Sequence, residues 1–371
     1  MLSPQDDLIG HQAPAVFARA AGGDPRFTER YWYTAHPVDG GEIILDVGMG
    51  YYPNRGVMDA FAGVTVGRQQ HNFRISRHLG DNPLETTVGP LVFEVLEGMK
   101  RHRIALAPGN GSGIAFDLTF EASFPAAQEK QSLRERKGDV EEDLTRVAQF
   151  GRWRGWLEAD GKRYDLAPES WWGQRDHSWG IRSAHRTDET APPVQEHKNF
   201  FWTWSMFQFE DMGLSVFLKE REPGRPMYLS GTEFRREGGK MMHREMTNAH
   251  HEIVWSDDPL GQSIASAVWT FEFDSGPPRE LRMECLPTRF YLKGGMYGGF
   301  RGWNHGDDKG SLHSEHDVWD LEDAATRLAA RTLSDHVIRC TTEGRTGHGI
   351  TEYGVASGYP KYTAPQRFAA I

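Results

Sequence analysis

The stretch QFGRWRGWLEADGKRYDL, residues 149–166, decides the fold class of this chain. Two short runs in which apolar and polar residues alternate, Gln149–Leu157 and Lys162–Leu166, flank the dipeptide Asp160-Gly161. A period of two is typical of β-strands, and Asp-Gly between two such runs is a strong signal for a tight hairpin. The sequence therefore predicts a β-hairpin at this point.

Short alternating runs of the same kind recur along the whole chain, bounded by Gly, Pro, Asn or Asp. One series precedes a polar, proline-containing loop at His185–His197, and a second series begins at Phe200. Because 371 residues exceed the usual size of a single core, we expect two domains, at residues 1–172 and 173–371. The pattern predicts an all-β protein built from two β-barrels.

Two segments depart from the β pattern. Gln128–Val147 is dominated by charged residues, and we predict an exposed, mobile excursion with partial helix there. Leu321–Leu333 places its apolar residues near helical spacing after Asp320, a good N-cap, and predicts one short helix.

Composition excludes several classes of function. The formal net charge is −10 and basic residues are interleaved with acidic ones, which argues against a nucleic-acid partner. A mean hydropathy of −0.61 argues against any membrane span. Met1–Phe17 lacks the features of a secretory signal, and two cysteines are too few for a disulfide framework, so we expect a cytoplasmic protein. The sequence carries no indication of the oligomeric state.

Polar and aromatic side chains concentrate in two neighbouring segments, Trp171–Gly180 and Phe201–Phe209. They combine a carboxylic acid, an imidazole, an arginine and several indoles, a mixture that suits an apolar pocket with a few convergent polar groups. Apolar surroundings would keep a proton on Asp176 near neutral pH, and His177 would hold or relay it. The structural alternative is an ion pair of Arg175 with Asp176 at a strand end, with the tryptophans as core.

The same segments carry a resemblance to a known family. RDHSWG at residues 175–180 is followed by Trp202-x-Trp204-x-x-x-Gln208, and GHGITEYG stands at residues 347–354. These segments resemble the AttH-like and carotenoid 1,2-hydratase-like family of double-lipocalin proteins. The remainder of the chain agrees in length and all-β character.

The resemblance implies two lipocalin-like (calycin) barrels packed together around a small apolar molecule, with neither a metal nor an organic cofactor. Activities in this group include acid-catalysed addition of water to isoprenoid double bonds and, in more distant relatives, pericyclic ring closure. The resemblance carries over His177, Trp179, Trp204 and Gln208 as site residues. A Tyr-x-Asp pair associated with the proton donor of the carotenoid enzymes has no counterpart in the aromatic strand, so Asp176 becomes the candidate acid.

A second polar cluster, RGWNHGDDKG, lies at residues 301–310. His305 and Asp308 would either face the ligand from a barrel mouth or belong to a charged hairpin. Histidine-rich groups at residues 313–316 and 243–251 lack the spacing of zinc motifs, and we expect no metal. The sequence also lacks a Gly-x-Ser-x-Gly elbow and a phosphate-binding Gly-Lys-Ser/Thr loop.

The leading functional hypothesis is a cofactor-independent lyase or isomerase that hydrates or dehydrates an alkene in an isoprenoid-, steroid- or polyketide-like substrate. Asp176 would donate the proton, His177 would orient it, and tryptophan faces would stabilise the cation that forms. The substrate-binding side chains in this hypothesis are Trp179, Trp202, Trp204, Gln208 and His305. The alternatives are a non-catalytic carrier of apolar ligands and a cyclase that acts through the shape of its pocket.

Overall fold

The computed structural model describes residues 2–11, 21–82, 85–136, 138–182, 199–257, 263–330, 333–356 and 358–362. Within these ranges the chain is almost entirely β-structure. The strands are β1 (Phe27–Pro37), β2 (Ile43–Tyr52), β3 (Val57–Val66), β4 (Gln69–His78), β5 (Thr87–Val88), β6 (Leu91–Glu97), β7 (Arg101–Leu106), β8 (Ala115–Ala122), β9 (Ala127–Gln128), β10 (Ser132–Arg136), β11 (Asp139–Ala159), β12 (Lys162–Leu166), β13 (Trp171–Ile181), β14 (Phe201–Gln208), β15 (Met212–Glu222), β16 (Arg225–Glu237), β17 (Lys240–Trp255), β18 (Ile264–Phe273), β19 (Arg279–Tyr291), β20 (Leu312–Asp320), β21 (Ser334–Thr342) and β22 (Arg345–Val355).

Helical structure is confined to short segments. The α-helix α1 spans Ala324–Ala330, inside the segment predicted to be helical, and 3₁₀ turns occur at Pro4–Asp7, Ala21–Gly23, Pro53–Arg55 and Leu292–Gly295. None of the helices in the described ranges has the length and apolar character needed to cross a membrane.

The first sheet is a half-barrel of fourteen antiparallel strands. Its order is β20-β4-β3-β2-β1-β13-β11-β8-β7-β6-β5, and β9, β10 and β12 pair onto β11. One face buries a core that includes Tyr33, Leu45, Phe120 and Trp153. The strands β20 and β5 lie at the two ends of this order, and no strand pairing joins them in the described residues.

The second sheet is a closed barrel with the order β14-β15-β16-β17-β18-β19-β21-β22. The last strand pairs with the first, as in the barrels of lipocalins. The all-β, lipocalin-like fold class is therefore confirmed, with the difference that the N-terminal sheet is a half-barrel.

The hairpin predicted at Asp160-Gly161 is confirmed, since both residues have positive φ, 51° and 68°, between β11 and β12. The partial helix predicted within Gln128–Val147 is wrong, because β10 and the start of β11 form a second hairpin there. Its charges pair across the hairpin, as Arg134 does with Glu141 at 3.1 Å. A charge-rich segment satisfied in this way needs few apolar residues to remain a strand.

The boundary expected between residues 172 and 173 falls inside β13, which pairs with β1 and β11 of the half-barrel. The RDHSWG motif is thus part of the half-barrel, and the change of sheet lies between Ile181 and Phe201. The loop predicted at His185–His197 lies outside the described residues. The edge strand of the half-barrel next to β4 is β20 (Leu312–Asp320), which lies much later in the sequence.

The half-barrel and the closed barrel contact each other through β2, β3, β13, β14 and β19. Phe61 stacks on Phe290 with ring centroids 6.3 Å apart. Gly63 permits this approach, because a Cβ at that position would lie 2.1 Å from the Phe290 ring. The amide of Gln174 donates to the Gln208 amide oxygen across the same contact at 3.1 Å. The candidate functional site lies between these two sheets.

Candidate functional site

Strand β13 presents its two neighbouring polar residues to opposite sides. Asp176 faces the closed barrel together with Gln174, whereas His177 faces the interior of the half-barrel together with Arg175. Alternation along a strand requires this separation, since successive side chains point to opposite faces. The structure therefore does not bring together Asp176 and His177, which were predicted to act as acid and orienting partner.

On the interior face, Arg175 is held by a buried polar network. Its guanidinium donates to both oxygens of Asp7 at 2.8 and 3.2 Å, and Asp7 also bonds His102 at 2.9 Å. Burial alone would raise the pKa of Asp7, but Arg175 and His102 outweigh it and hold the pKa well below its usual range. This network attaches the N-terminal segment to the sheet.

A second interior network joins His177 to Glu29 and His11. His177 Nε2 lies 2.9 Å from Glu29, and His11 Nδ1 lies 3.2 Å from the same oxygen. Burial opposes ionisation of Glu29, but hydrogen bonds with His11 and His177 lower its pKa to about 2. Trp179 packs here against His11, with ring centroids 4.9 Å apart, so it lies on the opposite face of β13 from Asp176.

In the described ranges, His11, Glu29 and His177 are arranged like the ligands of a metal ion. One candidate ligand atom from each of His11, Glu29 and His177 lies within 4.8 Å of the others. The histidine-rich segments at 313–316 and 243–251 form no such group in the part of the chain that the structure describes. His313 and Glu315 share a strand face and contact each other at 3.1 Å.

The face directed at the closed barrel contains a group of neighbouring carboxyls. Three carboxyls, Asp46 of β2, Asp335 of β21 and Glu352 of β22, meet between the sheets, and we call them the acid cluster. Asp46 and Asp335 have no exposed surface, and Glu352 is partly buried. Within the described residues, only the other carboxyls of the cluster are hydrogen-bond partners for Asp335, and no other protein group donates to its oxygens or to Oδ2 of Asp46.

The environment of the acid cluster favours the protonated carboxylic acids. Burial raises the pKa of Asp46 to about 7. Burial also raises the pKa of Asp335 well above its usual value, and the adjacent Asp46 raises it further. Burial likewise raises the pKa of Glu352 well above its usual value, and the adjacent Asp335 raises it further. Carboxyls that are buried next to one another cannot all ionise, so this cluster retains protons at neutral pH.

Strand register explains how distant parts of the sequence form this cluster. His336 pairs with Thr351, which sets Asp335 beside Glu352 on the same face of the barrel wall. Asp46 reaches them from the half-barrel, where its Oδ1 accepts a hydrogen bond from the Trp32 indole at 2.9 Å. The acid cluster therefore exists only when the two sheets are packed together.

Aromatic rings lie beside the acid cluster. Trp32 and Trp204 meet edge to face with centroids 5.4 Å apart, and Trp204 is paired across the sheet with Glu352. Trp202 lies on the same face of β14 and packs against Phe217 at 6.4 Å. Two of the three predicted tryptophans are thus present at this site, and Trp32 was not predicted.

Asp176 also borders this space, as one half of an ion pair. Its carboxylate lies 3.1 Å from Arg146, which is also 3.4 Å from Glu129. The side chains of Asp176 and Arg146 retain 15% and 14% of their exposure, so solvent reaches this end of the site. The structural alternative of an ion pair fits Asp176 better than the isolated protonated acid that the sequence suggested, although its partner is Arg146 rather than Arg175.

The two remaining predicted residues are held by protein partners. His305 lies near the site, with Nε2 3.0 Å from Arg30 and Nδ1 3.3 Å from Asp59. Burial lowers the pKa of His305 to about 4, and Arg30 lowers it further, so the ring is neutral at pH 7. Gln208 donates to the Gly151 carbonyl at 2.9 Å and accepts from Gln174, so its amide is held at the contact between the two sheets.

Sequence reasoning missed all three members of the acid cluster. The available signal was an acidic residue inside an otherwise apolar strand, as in IILDVGMG at residues 43–50. Glu352 was even part of the closing-strand segment that carried the family resemblance.

Comparison with known proteins gives a family and a fold. The sequence matches a family of unknown function, DUF8625, over residues 2–361. None of the curated proteins matches it significantly. Among solved structures, a candidate AttH from Nitrosomonas europaea is similar over 94% of this chain and 99% of its own, with 11% identity and a TM-score of 0.53. The resemblance in fold to AttH-like double-lipocalin proteins is thereby confirmed.

Two further solved structures show weaker similarity. Kievitone hydratase from Nectria haematococca covers 89% of each chain at 11% identity and a TM-score of 0.43. CghA with Sch210972 covers 90% of this chain and 89% of its own at 13% identity and a TM-score of 0.49.

Proposed function

The chain belongs to the DUF8625 family, and we propose that it is an enzyme that protonates an apolar substrate at the acid cluster. The reaction class is hydration or dehydration of an alkene, or isomerisation through the same cation. The observation that carries the proposal is Asp335, a fully buried carboxyl whose hydrogen-bond partners in the described residues are the other two carboxyls, Asp46 and Glu352.

The proposed chemistry balances with a carboxylic acid and water. In hydration, the acid cluster transfers a proton to one alkene carbon and a cation forms at the other. Water then adds to the cation through its oxygen and returns one proton to the carboxylate, so the net change is addition of one water. Dehydration is the reverse sequence, and loss of a different carbon-bound proton gives the isomer.

The rings around the cluster suit the cationic intermediate. Trp32 and Trp204 present π-systems beside the acids, and aromatic faces attract cations most strongly in desolvated surroundings. Their apolar area would hold an isoprenoid-, steroid- or polyketide-like body. In this proposal Asp335 replaces Asp176 as the proton donor, and Asp176 serves to balance the charge of Arg146.

The experiment begins with an organic extract of the purified protein, in which mass spectrometry identifies a bound ligand. That ligand is then incubated with the protein in ¹⁸O-labelled water. Incorporation of one labelled oxygen, or loss of one water from the ligand, supports the enzyme. Recovery of unchanged ligand with both wild type and variants supports a carrier instead.

Asp335→Asn tests the acid itself, because the amide keeps the shape of a protonated carboxyl but has no proton to transfer. Turnover should fall by at least about 100-fold, the usual contribution of a positioned general acid. Asp165→Asn is the matched control, since its side chain is 83% exposed in an ion pair with Arg163. Full activity in folded Asp335→Asn would remove this residue as the donor.

A further inference from the structure

Three arginines surround Ser178 of β13, near the acid cluster. Arg30 of β1 and Arg146 of β11 are both paired with Ser178 of β13, one on each side. Arg182, just beyond β13, donates from Nη2 to the Ser178 hydroxyl at 2.8 Å. All three guanidiniums therefore lie on the face directed at the closed barrel, and we call them the arginine cluster.

The charges of the arginine cluster are only partly balanced by the protein. Arg146 has Asp176 and Glu129 as partners. Arg30, only 6% exposed, contacts His305 at 3.0 Å and the Tyr297 ring at 4.7 Å, both uncharged groups. Neither Arg30 nor Arg182 forms an ion pair with any carboxylate in the described ranges.

Two neighbouring buried guanidiniums with no carboxylate in contact are costly, because burial removes water and like charges repel. Burial opposes the charge of Arg30, but Tyr297, Tyr52 and the more distant Asp59 and Asp176 raise its pKa. Burial lowers the pKa of Arg182 to about 10, and the nearby Arg30 and Arg146 add to the effect. The Arg182 Nε atom is also buried with no hydrogen-bond partner among the described residues. An anion placed between these two side chains would satisfy both the charge and the free donor.

Tyr297 connects this place with the acid cluster. Its ring lies under the Arg30 guanidinium, and its hydroxyl interacts electrostatically with Asp176, Glu352 and Asp46. A molecule that spans the site would thus meet cations at one end and carboxylic acids at the other.

We propose that Arg30 and Arg182 bind an anionic group of the substrate, so that the substrate class is an apolar molecule bearing one acidic group such as a carboxylate or an enolate. The inference rests on the proposed function for the location of the substrate. It adds the chemical identity of one end of the molecule and the orientation that places the alkene at Asp335.

The test uses cis-parinaric acid and its methyl ester, two fluorescent probes that share one apolar body and differ in the anion. Titration of the full-length protein should give an acid affinity at least about 10-fold higher than the ester affinity. Arg30→Gln and Arg182→Gln should each remove most of this difference by weakening the acid alone. The control, Arg154→Gln, changes an exposed arginine that pairs with Glu121 and should leave both affinities unchanged.

Equal binding of acid and ester by wild type, no saturable binding of the acid, or equal weakening of both probes in the arginine variants would overturn the proposal. Thermal melts confirm that each variant is folded before titration. Asp335→Asn should bind the acid as wild type does, because this readout needs no turnover. A defect in proton transfer is thereby separated from a defect in anion binding.

Discussion

Burial of the Asp46 carboxyl costs the folded state free energy. Its strand neighbours Leu45 and Val47 are fully buried in the half-barrel core, while its own carboxyl is buried on the opposite face. The Trp32 indole supplies one hydrogen bond, which is less than an ionised carboxylate requires. The carboxyl is tolerated because it can remain protonated.

Because Asp46 is buried as a protonated carboxyl, the folded protein should lose stability as pH rises. Burial raises the pKa of Asp46 to about 7, above its value in the unfolded chain. The protonated carboxyl therefore makes its full contribution to the stability of the folded state below about pH 4, and this contribution is lost as pH rises through 7. Asp46→Asn should remove this loss. Urea unfolding between pH 4 and 8 should show the variant gaining stability relative to wild type as pH rises, by on the order of 4 kcal/mol at pH 8.

Asp165→Asn, at an exposed position, is again the control and should track wild type at every pH. A variant curve parallel to that of wild type would contradict the assignment of a neutral Asp46 in the folded protein.

At the scale of elements, the N-terminal turn is fastened to the half-barrel by charge. Pro4–Asp7 forms a 3₁₀ turn, and Asp7 at its end meets Arg175 of β13 and His102 of β7, all three almost fully buried. Tyr31 adds a hydrogen bond of 2.5 Å to the Asp7 carbonyl. The short turn thus gains its stability from tertiary contacts, since an isolated segment of this length would not hold its shape.

Asp7→Asn should destabilise the protein strongly, because it leaves the Arg175 charge buried without its partner. Breaking a buried pair in this way costs about 3–5 kcal/mol. Urea unfolding at pH 7 measures the loss, and Glu97→Gln, which affects an exposed pair with Lys100, should leave the transition in place. A change in Asp7→Asn no larger than that in the control would show that the pair adds nothing to the fold.

Local signals in the sequence were sufficient to predict the hairpin at Asp160-Gly161 and the helix near Ala324–Ala330. Turn-forming residues and helical spacing can both be recognised from residues that are neighbours in the sequence. The hairpin of β10 and β11 was missed since its charges are satisfied by partners on the opposite strand. The acid cluster was missed for a similar reason. Asp46 and Asp335 are far apart in sequence, and only the packing of two sheets brings them together.

At the scale of the whole molecule, β20 makes the two halves of the chain interdependent. It follows β19 of the closed barrel in sequence, but pairs with β4 over nine residues, from Leu312 with Arg77 to Asp320 with Gln69. Without it, β4 would present an unpaired edge that contains the buried residues Phe73 and Ile75. Unprotected edges of this length favour aggregation.

We therefore expect residues 1–182 expressed alone to be largely insoluble, and co-expression with residues 199–371 to restore soluble protein containing both fragments. The matched control replaces residues 312–320 of the second fragment by a glycine-serine linker of equal length, and it should fail to rescue. Size-exclusion chromatography and the soluble yield measure the outcome. Rescue by the linker fragment would show that β20 is not needed to complete the half-barrel.

The late position of this edge strand also determines when the protein can finish folding in a cell. A ribosome that has released β1 to β13 has supplied nearly all of the half-barrel, but it must translate six more strands, β14 to β19, before β20 emerges. Throughout that interval the nascent chain displays the open edge of β4 to its surroundings. The half-barrel is therefore the first sheet to be synthesised, yet its edge at β4 is covered only after most of the closed barrel has been made.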